Sequence, residues 1–429
     1  MATRGSSYQD RLMSDHAAQT RNKREYVDFC NKQQAQLEAV ATTTSPSGQV
    51  IDWIKIESQG TIAEPPPLLS DKPREQTVGA GMPTGSPPKT ELEANEDLRG
   101  PAGTVPVPRK SLALVDFRKP LSQMMSKTGP PDMSGRISTL AAAPEKHWYA
   151  SSAQIVKNYG GQGRFSMWNP AVETNNDFSL LQLAVINNNG AFDPAHPRSD
   201  NRQTVEAGWI RYPARFGDNL PHLFTFFTTV GYETYGDYVQ GWNTDVKGWV
   251  QVDSTIHPGS TFSTTNVENG AQYDLWITYQ LHNGNWWLWV RDRWIGYYPA
   301  NMFSAGHVAA NTLADHADQI NFYGEIFDSN DVAGITTTDM GSGRFPETRW
   351  QHSAYIYLIG YQPQPTATSN ASVEYDGSAG IYLDDPARYR IEPHFKSGSN
   401  WGSYVWLGGP GAGWSDVKAV GEHCMLCHF

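Results

Sequence analysis

Hydrophobic and polar positions change their rhythm twice along the chain. Residues 8–41 are rich in Gln, Ala, Lys and Glu, and predict a helix with Leu12, Ala17, Tyr26, Phe29, Leu37 and Val40 as apolar anchors. The segment GQVIDWIKIESQ (48–59) alternates like a strand, although Val50, Asp52, Ile54 and Ile56 form no single clean face. From Pro65 to Pro131 the pattern stops, because 13 of the 28 prolines fall there. Proline donates no backbone hydrogen bond, so this stretch predicts an extended linker laid on a surface and open to proteases. After about residue 145, aromatic and β-branched runs recur between clusters of Gly, Asn, Asp and Pro. FSLLQLAVI (178–186), LFTFFTTVGY (223–232), YDLWITYQL (273–281), NWWLWVRDRWIGYYP (285–299), INFYGEIF (320–327) and SAYIYLIGY (353–361) are the clearest. In the third run Tyr273, Leu275, Ile277, Tyr279 and Leu281 share one face. Helical periodicity is absent from this half. The expected fold is an all-β antiparallel sandwich of roughly 280 residues, preceded by a small region with an N-terminal helix and a Pro-rich linker.

Composition narrows the function. With 33 basic and 44 acidic residues the formal charge is −11, which argues against nucleic acid or an anionic membrane surface as a partner. No run of about 18 apolar residues occurs, so no spanning helix is expected. Only Cys30, Cys424 and Cys427 are present, too few for a disulfide scaffold. The first residues lack the apolar core of a signal peptide.

Motifs for a P-loop, a dinucleotide site, a zinc protease or a nucleophile elbow are missing, and no metal or cofactor is expected. Candidate chemistry therefore falls to carboxylates on apolar strands. Glu206 lies in TVEAGWIRYP and Glu325 in INFYGEIFD. Alternation places Glu206 with Gly208, Ile210 and Tyr212, and Glu325 with Tyr323 and Asn321. A carboxylate among aromatics is desolvated, and a second one nearby splits the two titrations, giving an acid and a base together. By residue type alone, such carboxylates are more often hydrogen-bonded structural groups than catalysts.

The sequence resembles the neprosin family of glutamic peptidases in ordered blocks. GQVIDWIKIESQGTIAEPPPLL and GPAGTVPVPRK (100–110) resemble the start and end of its activation propeptide. YGGQGRFSMWNPAVETNNDFSLLQLAV (159–185), TVEAGWIRYPARFGDNLPHLFTFFTTVGY (204–232), GNWWLWVRDRWIGYYPANMFS (284–304), FYGEIFDS (322–329) and WGSYVWLGGPG (401–411) resemble its catalytic domain. The resemblance implies a secreted, acid-active β-sandwich endopeptidase made as a zymogen and cleaving on the carboxyl side of proline. It implies that residues 1–130 form a pro-region acting as an intramolecular inhibitor, that 131–429 form the catalytic domain, and that Glu206 and Glu325 are the catalytic pair. One glutamate would activate water and the other would stabilise the oxyanion and protonate the leaving amine. Gln182 could polarise the scissile carbonyl, and Trp209, Tyr212 and Tyr323 could wall a proline pocket. Pro108, Pro120 and Pro131, and the basic pair Arg109 and Lys110, are candidate points of propeptide cleavage.

Two departures and two rivals accompany this reading. Plant relatives carry disulfides where this chain reads GYETYGDYVQGW, with Asp237 and no cysteine. The tail carries Cys424-x-x-Cys427-His428, formally a haem-attachment pattern, and Asn370-Ala371-Ser372 is a glycosylation sequon. The Trp-rich run NWWLWVRDRW also suits a carbohydrate-binding or glycoside-hydrolysing sandwich. A catalytically inactive relative kept for binding is the other alternative.

Overall fold

The structure is a computed structural model that describes residues 8–69, 83, 88–125, 127–129, 147–188, 202–304, 308–330, 336–365 and 372–412. Pro131, Asn370 and the Cys424, Cys427 and His428 tail lie outside these residues.

The first helix spans Tyr8–Gln34 and is shorter than the sequence pattern predicts. The run AVATTT that follows forms the strand Ala39–Thr44, paired antiparallel with Val50–Lys55. Three consecutive threonines and a valine favour a pleated strand once a partner is at hand, which overrides the helical pattern at Leu37 and Val40. The Pro-rich stretch is also more structured than expected. Thr104–Pro108 forms the third strand of this small sheet, on its edge. The amides of Ile56 and Arg109 bond across to Gly103 and Val50, which puts the odd-numbered residues in the ladder. Pro106 and Pro108 therefore direct their missing N–H groups outward, where an edge strand needs no donor. A four-residue helix, Glu91–Ala94, is held by a reciprocal capping box between Thr90 and Glu93.

Among the described residues, two larger antiparallel sheets pack face to face, as the alternation predicts. One runs, edge to edge, through Gly380–Leu383, His147–Asn158, Ala317–Phe327, Phe178–Asn187, Gln203–Arg211, Pro221–Thr228 and Gln240–Trp242. The other runs through Val250–Gln251, Arg293–Pro299, Asn285–Val290, Asp274–His282, Gly160–Ser166, Ala354–Tyr361, Tyr404–Gly408 and Arg390–His394, with Val373–Glu374 beside Ala354–Tyr361. Asn283 and Gly284, both at positive φ, make the tight turn between Asp274–His282 and Asn285–Val290. The core between the sheets takes alternate residues from each strand: Leu181, Leu183, Val205, Ala207 and Trp209 from one side, and Leu275, Ile277, Trp286 and Leu288 from the other.

Two glycines fix the spacing around the carboxylates. A Cβ on Gly208 would lie 1.9 Å from the Leu181 carbonyl oxygen, and one on Gly324 would lie 2.6 Å from Met340 Sδ. Gly208 accepts no side chain because backbone stands in the way, and one at Gly324 would have to displace Met340, so the glycines beside Glu206 and Glu325 belong to strand packing.

Candidate active site

Because Val205, Ala207 and Trp209 point into the sandwich core, Glu206 points out of the opposite face of its sheet. The same parity turns Tyr323 and Glu325 outward, since Phe322 and Ile326 are core residues. Register then gathers the groups. Glu325 is paired with Tyr149, Tyr323 with Gln182, and Gln182 with Gly208. Glu206, Glu325 and Gln182 are all fully buried.

Both carboxylates close on one cation, Lys127. Its Nζ lies 2.7 Å from Glu325 Oε2 and 3.0 Å from Glu206 Oε2, and the lysine is buried. Its ammonium also lies 5.7 Å from the ring centroids of Phe226 and Trp242 and 5.8 Å from that of Tyr323. Burial by itself would push the Lys127 pKa down, but the two carboxylates outweigh it and hold the ammonium above its ordinary value. Burial likewise pushes the Glu325 carboxyl up. Lys127 and His147 reverse that and hold it below the usual carboxylate range.

The two carboxylates differ in their remaining partners. Glu325 Oε1 lies 2.8 Å from His147 Nδ1 and accepts from Tyr149 Oη at 3.2 Å. Glu206 accepts only from neutral donors apart from Lys127: Thr204 Oγ1 at 2.7 Å, Tyr232 Oη at 2.6 Å, Gln182 Nε2 at 2.5 Å and Tyr323 Oη at 3.3 Å. Gln182 Nε2 also contacts the Tyr323 hydroxyl, while Gln182 Oε1 is buried with no partner among the described residues. Lys127 offsets one of the two carboxylate charges, and the hydrogen bonds around the pair make its burial tolerable.

The chain around Lys127 lies along the same surface. The Met125 carbonyl accepts from Trp242 Nε1 at 3.3 Å, and Thr128 Oγ1 is 2.5 Å from Tyr149 Oη. A Cβ on Gly129 would come within 2.6 Å of Tyr232 Oη. Further contacts hold the N-terminal region. Lys110 Nζ reaches Asp245 at 2.5 Å, where Arg215 also pairs, and Arg291 grips Glu93 through both terminal nitrogens at 2.6 and 2.9 Å.

The structure places the other residues that the sequence singles out. Trp209 is buried in the inter-sheet core and donates to Ser166 O, so it lies on the wrong side of the sheet for a substrate pocket. Tyr212 packs on Phe178, with ring centroids 5.4 Å apart, in a cluster with Phe224, Phe226, Trp242 and Phe327. Tyr323 touches Glu206 directly. Arg109 and Lys110 are engaged with Asp52 and Asp245 instead of standing free as a solvated dibasic pair. Pro108 is held in the edge strand, while Pro120 is exposed just before the short helix Leu121–Met124. Sequence reasoning missed Lys127, His147, Tyr149, Thr204 and Tyr232. Lys127, His147 and Tyr149 sit in no motif, and Thr204 and Tyr232 merely bound the block 204–232; the signal that singles them out is the fold that brings them to the glutamates.

Residues 175–410 match the Neprosin family, a span of more than half the chain that includes Gln182, Glu206 and Glu325. The chain belongs to the Neprosin family. That membership points to a glutamic peptidase. Lys127, which pairs with both glutamates, and His147, which contacts Glu325, lie outside the matched span.

Among solved structures, the chain is similar to Scytalido-glutamic peptidase with a peptide-based transition-state analogue, at 7% identity and a TM-score of 0.27, covering 61% of this chain and 97% of that one. It is similar also to SCP-B, a member of the Eqolisin family of peptidases in complex with the tripeptide Ala-Ile-His, at 8% identity and a TM-score of 0.27, covering 61% and 96%. CG-16, a homodimeric agglutinin from chicken liver, matches at 7% identity and a TM-score of 0.19, covering 42% and 92%. Superpositions this loose carry no argument about the activity of this chain.

Proposed function

We propose that this chain is the zymogen of a glutamic endopeptidase in which Glu206 and Glu325 activate water against a peptide carbonyl. The observation that carries the reading is the placement of two buried carboxylates from separate strands on one ammonium. A buried acidic pair contributes little to stability, and its geometry supports acid–base work on an uncharged substrate once the ammonium withdraws.

The surroundings suggest the division of labour. With Lys127 withdrawn, the two carboxylates cannot both stay ionised at low cost, and one proton is shared between them. Glu325 keeps His147 against its Oε1, a contact that holds its carboxyl down, so it is the ionised base that takes a proton from water. Glu206 carries the shared proton, donates to the developing oxyanion and passes the proton to the leaving amine. The hydroxyls of Thr204, Tyr232 and Tyr323 can turn from donor to acceptor as it does so. Gln182 orients Glu206, and its unpartnered oxygen accepts a hydrogen bond if the amide turns.

Cleavage after proline is part of the same proposal. Phe178, Tyr212, Phe224, Phe226, Trp242 and Phe327 form an apolar aromatic cluster beside His147 and Lys127, and flat rings suit a pyrrolidine. Latency is assigned to the N-terminal region, with Lys127 as the inhibitory group. Falling pH adds one proton to the carboxylate pair, and the hold on Lys127 weakens. Self-cleavage after Pro120 is favoured over Pro108 because Pro120 is exposed.

The test is digestion of a proline-containing peptide library at pH 3 to 7, read by mass spectrometry, for the acid-treated wild type, Glu206→Gln and Glu325→Gln. Cleavage after proline by wild type alone is expected. Turnover that survives in both variants would refute the two-glutamate mechanism.

A further inference from the structure

The outer face of the second sheet carries an unusual concentration of indole. Trp286, Leu288 and Val290 of the strand Asn285–Val290 enter the sandwich core, which sends Trp287 and Trp289 outward. There they meet Trp294 and Tyr297 of the neighbouring strand: ring centroids are 4.5 Å apart for Trp287 and Tyr297, and 5.2 Å for Trp289 and Trp294. Trp276 adjoins Trp289 at 5.5 Å. This face lies on the side of the sandwich away from Glu206 and Glu325, so the catalytic proposal does not use it.

A segment of the Pro-rich region lies across these rings. Along Ala63-Glu64-Pro65-Pro66-Pro67-Leu68-Leu69, Pro66 and Leu69 are buried and Ala63 is half-buried, while Glu64, Pro65, Pro67 and Leu68 are exposed. Burial every third residue is the period of a polyproline helix, which has three residues per turn. Ala63 and Leu69 pack into the aromatic cluster. Two hydrogen bonds engage the backbone from either end: Trp294 Nε1 donates to the Pro67 carbonyl at 3.3 Å, and the Ala63 amide donates to Tyr297 Oη at 3.0 Å. Trp287 Nε1 is buried with no partner among the described residues, so one donor beneath the segment is still available.

Aromatic rings that receive a prolyl turn, with an indole N–H on a prolyl carbonyl, make up a general mode of proline-rich peptide recognition. A proline-rich ligand is extended before it binds and loses little conformational entropy, which favours it over a flexible chain. A covering needed only to hide apolar surface would have no reason to bury every third residue or to place its carbonyl on an indole nitrogen.

We propose that this aromatic face is a docking site for extended proline-rich peptide. It is occupied in the zymogen by residues 63–69, and after the pro-region leaves it is open to the same kind of segment in a protein substrate. The docking site stands on its own contacts; only the choice of a protein substrate as the natural source rests on the peptidase reading.

The experiment uses the full chain with its own segment ejected, as Pro66→Asp with Leu69→Asp, and a labelled peptide GTIAEPPPLLS followed by fluorescence anisotropy at neutral pH. The ejected variant should bind the peptide at least about tenfold more tightly than wild type, whose face is filled. Adding Trp294→Ala, or replacing the three prolines of the peptide by alanine, should each weaken binding about tenfold, the scale of one lost anchoring contact. Tyr297→Phe, which removes one hydroxyl and keeps the ring, serves as the milder variant if Trp294→Ala fails to fold. In wild type, saturating peptide should displace the resident segment and expose residues 60–69 to proteolysis, which tests the idea without any substitution on the aromatic face. Failure of the folded, ejected variant to bind would overturn the proposal, as would equal binding of the proline-free peptide or binding of glycans in its place. None of these readouts requires turnover, so a chain that docks the peptide yet cleaves nothing in the acid digestion would refute the peptidase reading and leave this one standing.

Discussion

Replacing Lys127 by Met tests the inhibitory contact most directly. Met keeps most of the side-chain stem against Phe226, Trp242 and Tyr323 and removes only the charge. In wild type the ammonium sits 3.0 and 2.7 Å from two carboxylates, with all three side chains fully buried. Removing one partner from a buried ionic group typically costs about 3–5 kcal/mol. One of the stranded carboxyls can take up a proton, so the low end applies: about 3 kcal/mol, or roughly a hundredfold in the equilibrium that docks this segment. The sign with pH follows from Glu325, whose carboxyl is held below its ordinary range by Lys127 and His147 against the effect of burial. Such a group stabilises the docked state fully above the ordinary carboxylate pKa, near about 4.3, and the contribution is lost as pH falls through the depressed value. The effect of the substitution is therefore greatest near neutrality and fades below about pH 4. Amide hydrogen exchange of residues 121–129 measures the docking equilibrium without requiring catalysis. Protection should fall about a hundredfold in the variant at pH 7 and by less at pH 3. Unchanged protection at pH 7, or the same loss at both pH values, would refute the electrostatic account of latency.

Three further outcomes follow from the same geometry. His147→Asn keeps a donor near the Nδ1 position and removes the charge beside Glu325, so the acid limb of kcat/KM should move up by about one pH unit while the plateau stays within about threefold; an unmoved limb would show that His147 does not hold the base ionised. Glu93→Ala breaks both the paired contact with Arg291 and the capping box at Thr90, costing about 3 kcal/mol, and limited proteolysis at neutral pH should then cut residues 88–99 where wild type resists. Gly208→Ala places a methyl 1.9 Å from the Leu181 carbonyl and should lower the melting temperature by several degrees or prevent folding, a prediction that a variant with wild-type stability would contradict.

Local pattern determined much of this protein, because side-chain direction in a strand repeats every two residues. The period in YDLWITYQL already separated Leu275, Ile277 and Leu281 from Trp276, and the structure places the first three in the core and Trp276 on the outer face. The same rule sets Glu206 opposite Trp209, so a flat ring that would suit a pyrrolidine lies on the face away from the carboxylate; proximity along a strand says nothing about which face a residue serves. The composition of residues 65–131 announced prolines but not their use. Pro106 and Pro108 fit the ladder only because their strand is an edge, and the Pro67 carbonyl finds its donor only because the distant Trp294 indole reaches it. Tertiary structure alone supplied the partners of the carboxylates. Lys127 is 198 residues from Glu325 in sequence, and nothing in SKTGPP marks that lysine as different from a solvated one. Register brings Tyr149 beside Glu325 and Gln182 beside Tyr323, and burial strips water from all of them at once. The sequence could therefore single out the two carboxylates, since an acid on an apolar strand is visible locally, while residue type alone favoured a structural role for them. Their charge state depends on desolvation and on cations that arrive from elsewhere in the chain, and only the packed fold decides that.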